Sequence, residues 1–118
     1  MKYKVGDKFV AMLEYAGHMY GIADSTGAHY YPAYKFKYLV GYLPEEVVNS
    51  FEPYQVQTML PGMTDLKYNV GDKFIVEIED MFLKDLSLGV QSLPVYRLKN
   101  IPGLYDDEHL KRFVRLSA

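Results

Sequence analysis

The sequence of 118 residues contains no cysteine and no tryptophan. Without cysteine the chain cannot form disulfides, thiolate nucleophiles or cysteine-based metal sites. It also has no run approaching the roughly 18 apolar residues that a membrane-spanning helix requires. The opening residues, MKYKVGDKF, lack the apolar segment of a signal peptide, so we expect none. These absences favour the cytoplasm as its location.

Neither sign of charge predominates in the sequence. The formal net charge is −2, and residues 1–60 hold five basic and six acidic side chains, against eight and nine in residues 61–118. Because phosphate contacts normally dominate affinity for nucleic acids, this balance disfavours a nucleic-acid partner. The acids are also too dispersed for an inhibitor that mimics DNA.

Sequence motifs for catalysis are missing. The phosphate-binding patterns GxxxxGK[ST] and GxGxxG do not occur, nor does the nucleophile pattern GxSxG. His18, His29 and His109 are scattered, and a metal site from His18, Asp24 and His29 across a hairpin lacks the spacing of a metal-binding motif. We therefore expect a protein that is not an enzyme and has no cofactor and no metal.

The chain repeats itself in three places. Three segments recur in the same order, the first at an offset of 65 residues and the other two at an offset of 62. This ordered recurrence predicts a tandem duplication. The matching pairs are KYKVGDKF (2–9) with KYNVGDKF (67–74), PAYKFK (32–37) with PVYRLK (94–99), and LPEEVVNSF (43–51) with YDDEHLKRF (105–113).

Each predicted copy has the pattern of a small β-structure. In DKFIVEIED the apolar residues alternate with charged ones, which is typical of a strand with one buried face. The Val-Gly-Asp lead-in indicates a turn, and the segment from Asp24 to Gly27 predicts the turn of a hairpin over residues 18–38. Pro44 at a first helical position, and Asp106 or Asp107 as a cap, predict one short helix per copy.

The predicted fold class is therefore all-β with short helical turns, as a tandem duplication of two small SH3-like barrels. The predicted domains are residues 1–58, the tyrosine-rich first repeat with the longer hairpin, and residues 66–118, the second repeat. Residues 59–65 would link them. A barrel of this size is marginally stable by itself, so we expect the two copies to pack together.

The segments VGDKF and YRLKNIPGLYDDEHLKRF resemble segments of small SH3-like barrel proteins carried by phages and mobile elements of Gram-positive bacteria. The resemblance implies a compact accessory protein. It is of the size class that includes anti-CRISPR and other anti-defence proteins. No functional residue is carried over, because the matching motif names none.

Tyrosine is abundant, with 12 residues, and nine of them lie in residues 1–60. Protein interfaces are enriched in tyrosine, which buries a large area at little cost in side-chain entropy. We therefore predict a non-enzymatic protein-binding module. The resemblance implies that it acts in the cytoplasm of a bacterial host, where it would bind and inhibit a host protein such as a CRISPR effector. Tyr20, His29 and Tyr31 in the first hairpin are its expected interface residues.

Two alternatives remain open. The stretch YYPAYKFKYL interleaves tyrosines with Lys35 and Lys37, which together could bind a nucleic-acid strand by stacking and charge. The same alternation is typical of a core strand with Tyr34 and Phe36 buried on one face. The other alternative is a binding protein that sequesters a small ligand or nucleotide between the two copies.

Overall fold

The computed structural model describes residues 2–24, 27–57, 66–85 and 92–116, with only the backbone of residues 22–24, 27–29 and 85. The predicted linker, residues 59–65, lies outside this part of the chain. The strands are β1 (Lys8–Asp24), β2 (Gly27–Phe36), β3 (Leu43–Pro44), β4 (Glu52–Gln55), β5 (Lys73–Asp85), β6 (Ser92–Leu98), β7 (Tyr105–Asp106) and β8 (Val114–Arg115), and the helices are α1 (Glu45–Val48) and α2 (Asp107–Leu110).

These strands form one curled antiparallel sheet. Its main path runs β3-β2-β1-β5-β6-β7, while β4 pairs with β5 and β8 pairs with β1. The prediction of a mostly antiparallel β protein with short helical turns is therefore confirmed. The SH3-like identity and the duplication stay predictions. Within the described ranges, no helix has the length and apolar character to cross a membrane.

The centre of the sheet joins the N-terminal half (residues 2–57) to the C-terminal half (residues 66–116). In the antiparallel pair of β1 and β5, Val10 lies opposite Ile75, its counterpart at the 65-residue offset. On either side, Phe9 lies opposite Val76 and Ala11 opposite Phe74. The two central strands are thus related by an approximate two-fold rotation about the Val10–Ile75 pair.

The short outer strands cross between the halves. Strand β4, from the N-terminal half, pairs with β5, where Glu52 lies opposite Ile75. Strand β8, from the C-terminal half, pairs with β1, where Val114 lies opposite Val10. Each half therefore completes the part of the sheet that the other half begins.

The Val-Gly-Asp turns precede β1 and β5 as predicted. Gly6 and Gly71 have φ angles of 94° and 97°, which only glycine adopts readily. The carboxylates of Asp7 and Asp72 are buried, and each accepts a hydrogen bond from the backbone N–H three residues earlier, at 3.0 and 2.9 Å. Each copy of the repeated VGDKF segment thus forms a turn followed by the first residues of a strand.

A single hydrophobic core extends across both halves. Tyr34 and Tyr96 have no solvent exposure, as the core-strand interpretation of YYPAYKFKYL requires of Tyr34. The ring of Tyr34 packs edge-on against Tyr68, and the ring of Tyr96 against Tyr3, with centroids 5.6 Å apart in both pairs. Each opening octet therefore contributes its tyrosine to the core of the other half.

Two hairpins extend from the centre in opposite directions, in a molecule measuring 55 × 37 × 18 Å. The N-terminal arm comprises residues 15–24 of β1 and 27–34 of β2, and the C-terminal arm comprises residues 80–85 of β5 and 92–96 of β6. In the N-terminal arm the strands meet at Asp24 and Gly27, at the predicted turn. Ser25 and Thr26 lie outside the described residues.

The helices begin near the predicted positions. Asp106 caps α2, since its side chain accepts a hydrogen bond from the backbone N–H of His109 at 2.9 Å. Pro44, predicted at the first helical position, instead precedes α1 as its N-cap, because its ψ of 162° is extended. The helix therefore starts one residue later, with Glu45 and Glu46 in its first turn.

Candidate functional site

The N-terminal arm carries exposed tyrosines. Tyr20 and Tyr30 lie opposite each other on β1 and β2, with ring centroids 5.4 Å apart in an edge-on arrangement. They are 63% and 71% exposed, so the pair stands on the surface rather than in the core. Tyr31, on the same strand as Tyr30, is 43% exposed.

Two glycines let tyrosine rings lie flat along this arm. A Cβ atom built on Gly21 would come 2.7 Å from the ring of Tyr31, and one on Gly17 would come 2.7 Å from the hydroxyl of Tyr15. Both contacts are shorter than carbon atoms tolerate. Glycine at these positions therefore fixes where two of the aromatic side chains lie.

The two arms differ in charge. Between Tyr15 and Tyr34 the only charged residue is Asp24, whereas the C-terminal arm contains Asp80, Lys84 and Asp85. The C-terminal arm also exposes aliphatic rather than tyrosine side chains, notably that of Leu83. The N-terminal arm is thus a nearly uncharged tyrosine surface, which is the composition of the central part of a protein interface.

The five predicted site residues lie in four different places. Tyr20 and Tyr31 are on the exposed surface of the N-terminal arm. Lys35 forms an ion pair with Glu14 on the neighbouring strand. His29 lies opposite Gly21 in the hairpin register, and its side chain is outside the described residues.

Lys37 belongs to a different place, a pocket of about 280 Å³ between the two halves. We call it the basic pocket. Its lining contains three cationic side chains and no acid in the described part of the chain. The lining residues are Val10, Met12, Lys37, Tyr38, Lys73, Arg112, Phe113 and Val114.

The three cations have few partners in this pocket. Lys37 and Arg112 lie over the ring of Tyr38, with 5.2 Å from Nζ and 5.4 Å from Cζ to the ring centroid. That ring also meets Phe113 edge-on at 5.9 Å. Among the described residues, neither these two cations nor Lys73 forms an ion pair with an acid.

A second pocket of about 170 Å³ lies on the other side of the two-fold relation, and we call it the neutral pocket. Its residues match those of the basic pocket one by one at the offsets of 65 and 62 residues. Two lysines face two glutamates here, and Lys8 lies 3.9 Å from Glu77. The lining residues are Lys8, Ser50, Phe51, Glu52, Ile75, Glu77, Lys99 and Asn100.

Tyr38 adopts a backbone conformation that is unfavourable for tyrosine. Its φ is 69°, and the matching residue of the neutral pocket, Asn100, has a φ of 63°. Asparagine tolerates this left-handed region far better than tyrosine. His109 contacts the Tyr38 carbonyl oxygen through its Nε2 atom and holds it in place.

Electrostatics in the core differ from those at the surface. Burial raises the pKa of Tyr34 to about 12, and its hydrogen bond to the Glu45 carboxylate at 3.1 Å adds to this effect. Burial also raises the pKa of Tyr96 and of Tyr105. These hydroxyls are neutral structural groups at physiological pH.

Sequence reasoning missed the basic pocket apart from Lys37. Lys73 and Arg112 come from distant parts of the chain, and neither stands in a motif. A signal was nevertheless present in the alignment of the two halves. Met12 replaces Glu77, Val114 replaces Glu52, and Arg112 replaces Ser50 at matched positions.

In the part of the chain that the structure describes, no three histidine, aspartate or glutamate side chains gather as a metal site would require. Comparisons with protein-family models, with curated proteins and with solved structures return no match to this chain.

Proposed function

We propose that this chain is a non-enzymatic binding protein that docks onto a partner protein through its N-terminal arm. The observation that carries the proposal is the exposed Tyr20–Tyr30 pair on an arm with one charged residue in its sequence. Tyrosine is enriched among the residues that contribute most to binding energy at interfaces, whereas charged residues are depleted from interface centres.

The partner surface that suits this arm is apolar and uncharged at its centre, with hydrogen-bonding groups for the tyrosine hydroxyls. Interfacial tyrosines bury their rings and keep a polar tip that needs a partner. The Tyr20 and Tyr30 rings pack against each other, and Tyr31 lies on the opposite face of the hairpin with its ring over Gly21. The arm therefore offers a pre-arranged aromatic surface, which lowers the entropy cost of binding.

The experiment is a quantitative pull-down from a Gram-positive host lysate, followed by titration of the captured partner. The double variant Tyr20→Ala with Tyr30→Ala should weaken binding at least tenfold. The matched control is Phe82→Ala with Leu83→Ala on the C-terminal arm, which should change affinity less than threefold. Equal losses from both double variants, or no saturable partner, would contradict the proposal.

Inhibition of a host defence protein is the finer form of this proposal, and it rests on the resemblance of VGDKF and YRLKNIPGLYDDEHLKRF to phage proteins. Its assay is phage plating on a host with active CRISPR interference. Expression of the chain should restore plaques, and the Tyr20→Ala, Tyr30→Ala variant should not. Absence of restoration would remove the inhibitor function while leaving the binding function to be judged by titration.

Nucleic-acid binding by the ribbon of residues 30–39 is less well supported. Tyr34 is buried in the core, and Lys35 is paired with Glu14. Tyr30, Tyr31 and Tyr38 stay exposed, but Lys37 is then the one cation of the ribbon without an acidic partner, among the described residues, to contact phosphate. Affinity for single-stranded DNA that falls steeply with salt and is lost with Lys35→Ala plus Lys37→Ala would favour this second function.

The architecture belongs to the same proposal: the two halves derive by tandem duplication from one small SH3-like unit. Matched backbone features support this origin, such as the φ angles of 96° at Gly41 and 97° at Gly103, 62 residues apart. A register shift also occurs at the base of each arm at matching positions, between Leu13 and Tyr15 and between Ile78 and Asp80. An experimental structure whose halves failed to superpose on these features would contradict the proposal.

A further inference from the structure

The basic pocket concentrates positive charge in a protein whose formal net charge is −2. Lys37, Lys73 and Arg112 line it, and within the described residues none of the three is neutralised by an acid. A concave site lined by one sign of charge raises the local concentration of oppositely charged ligands. The pocket is therefore suited to an anion.

The rest of the pocket is apolar. Val10, Met12, Phe113 and Val114 form much of its wall. An inorganic anion would use the cations and leave this wall in contact with water. A ligand that joins an anionic group to a flat apolar body would use both parts of the lining.

We propose that the basic pocket binds a nucleoside 5′-monophosphate. Its phosphate carries the charge that the three cations balance, and arginine in particular matches phosphate with paired N–H donors. Its base supplies the flat body that the apolar wall accepts. The pocket volume of about 280 Å³ lies just below the usual range for small-molecule sites, roughly 300–1,000 Å³.

The neutral pocket provides an internal comparison for this proposal. It has the same frame and two matching lysines, Lys8 and Lys99, but Glu52 and Glu77 cancel their charge. The charge difference between the pockets thus comes from three positions, where Met12, Arg112 and Val114 stand in place of Glu77, Ser50 and Glu52. It is not required by the strand pairing, which is alike on both sides.

The conformation of Tyr38 supports a role in the pocket. A left-handed φ is strained at a residue other than glycine or asparagine, and such strain clusters at ligand sites. Asn100 meets the same backbone requirement at low cost in the neutral pocket. Tyrosine at this position therefore contributes through its side chain, which holds Lys37 and Arg112 over its ring.

Isothermal titration of the full chain with AMP, adenosine and inorganic phosphate tests the proposal. We expect saturable binding of AMP with one site per chain, and at least tenfold weaker binding of both adenosine and inorganic phosphate. The AMP affinity should fall as salt is raised. Absence of saturable AMP binding at millimolar concentration, or adenosine binding as tightly as AMP, would overturn the proposal.

Variants locate the site. Arg112→Ser introduces the serine of the neutral pocket and should weaken AMP binding at least tenfold. Met12→Glu introduces its glutamate and should do the same, so the test survives if either variant fails to fold. The matched control is Lys8→Ala with Lys99→Ala in the neutral pocket, which should leave AMP affinity within twofold. Equal loss in the control would overturn the assignment.

The nucleotide could be free or could be the 5′ end of a strand, and oligonucleotides separate the two sources. A 5′-phosphorylated oligonucleotide that binds more tightly than AMP assigns the pocket to strand ends, and one that binds more weakly assigns it to free nucleotide. An unphosphorylated oligonucleotide that binds equally well would overturn the proposal.

The pocket is separate from the N-terminal arm. The Tyr20→Ala, Tyr30→Ala variant should keep full AMP affinity. A loss of AMP binding in this variant would overturn the placement of the ligand in the basic pocket, and would leave the proposed protein-binding function to its own titration.

Discussion

The basic and neutral pockets are made from the same eight positions of the fold, related by residue offsets of 65 and 62. Both contain two lysines and a phenylalanine at matching places. Their charge differs because Met12, Arg112 and Val114 of the basic pocket correspond to Glu77, Ser50 and Glu52 of the neutral pocket. The lining of the basic pocket therefore carries three positive charges. In the neutral pocket two lysines are balanced by two glutamates.

A comparison of the two halves distinguishes residues needed for folding from residues available for binding. The buried rings, the glycine turns and the strand register recur in both halves because each half needs them to fold. The excess positive charge of the basic pocket and the exposed tyrosines of the N-terminal arm have no counterparts at the matching positions of the other half. Positions that match are therefore expected to affect stability, and positions that differ are expected to affect binding.

The largest expected effect is on the matched core. Tyr34→Ala and Tyr96→Ala each remove a fully buried ring that packs against a tyrosine of the other half. Such truncations cost about 3–5 kcal/mol in free energy of unfolding. Denaturant unfolding should give values within about 1 kcal/mol of each other for the two variants. A cost confined to one of them would break the equivalence of the halves.

Alkaline pH should weaken the same core. The pKa of Tyr34 is raised to about 12 in the folded protein, so folding favours its protonated form. The associated stability is fully present below the tyrosine pKa of the unfolded chain, about 10, and is lost as pH rises toward 12. Thermal unfolding between pH 8 and 12 measures this loss.

Tyr34→Phe and Tyr96→Phe sharpen that prediction, because phenylalanine does not titrate. Each variant should reduce the fall in melting temperature above pH 10, since burial raises the pKa of both tyrosines. Tyr20→Phe, which changes an exposed ring, is the control and should keep the wild-type slope. A fall that is the same in all three variants would place the alkaline sensitivity elsewhere.

Grafting the basic lining onto the neutral pocket should create a second site. The triple variant Ser50→Arg, Glu52→Val and Glu77→Met gives that pocket the three residues by which the basic pocket differs in charge. We expect AMP stoichiometry to rise from one to two per chain, measured by isothermal titration. A stoichiometry that stays at one, in a variant with an unchanged melting temperature, would show that more than charge distinguishes the pockets.

The smallest effect concerns two matched lysines. Lys8→Ala removes an exposed ion pair with Glu77 and should cost about 0.5 kcal/mol or less. Lys73→Ala removes one of three neighbouring cations and should leave stability unchanged or raise it by a few tenths of a kcal/mol, because it relieves repulsion. Urea unfolding of both variants at low salt compares the signs. Equal costs would contradict the charge difference.

Local features could be predicted from the sequence. The glycine of VGDKF indicated a turn because few other residues adopt its φ, and Asp24 to Gly27 indicated a hairpin because such residues favour turns. The alternation around Tyr34 and Phe36 fits a strand with one buried face, and both side chains are buried. These inferences depend on neighbours in the sequence, where short-range geometry decides the outcome.

Long-range features could not be predicted in the same way. The pairing of β4 with β5 and of β8 with β1 joins segments whose patterns do not specify a partner. Lys35 and Lys37 are two residues apart, so the alternation of a strand predicts them on the same face. Lys35 pairs with Glu14, whereas Lys37 lies beyond the end of β2, in the basic pocket beside Tyr38. A convergence of Lys37, Lys73 and Arg112 requires knowledge of how the halves cross.

The pairing of β1 and β5 about Val10 and Ile75 is self-complementary, like the isologous contact of a two-fold homodimer. A homodimer built on this contact would carry every surface twice, so any change to one pocket would alter both. One continuous chain is free of that constraint, and its assembly does not depend on protein concentration. Covalent connection is thus what lets one side of the molecule hold a cationic pocket while the other stays neutral.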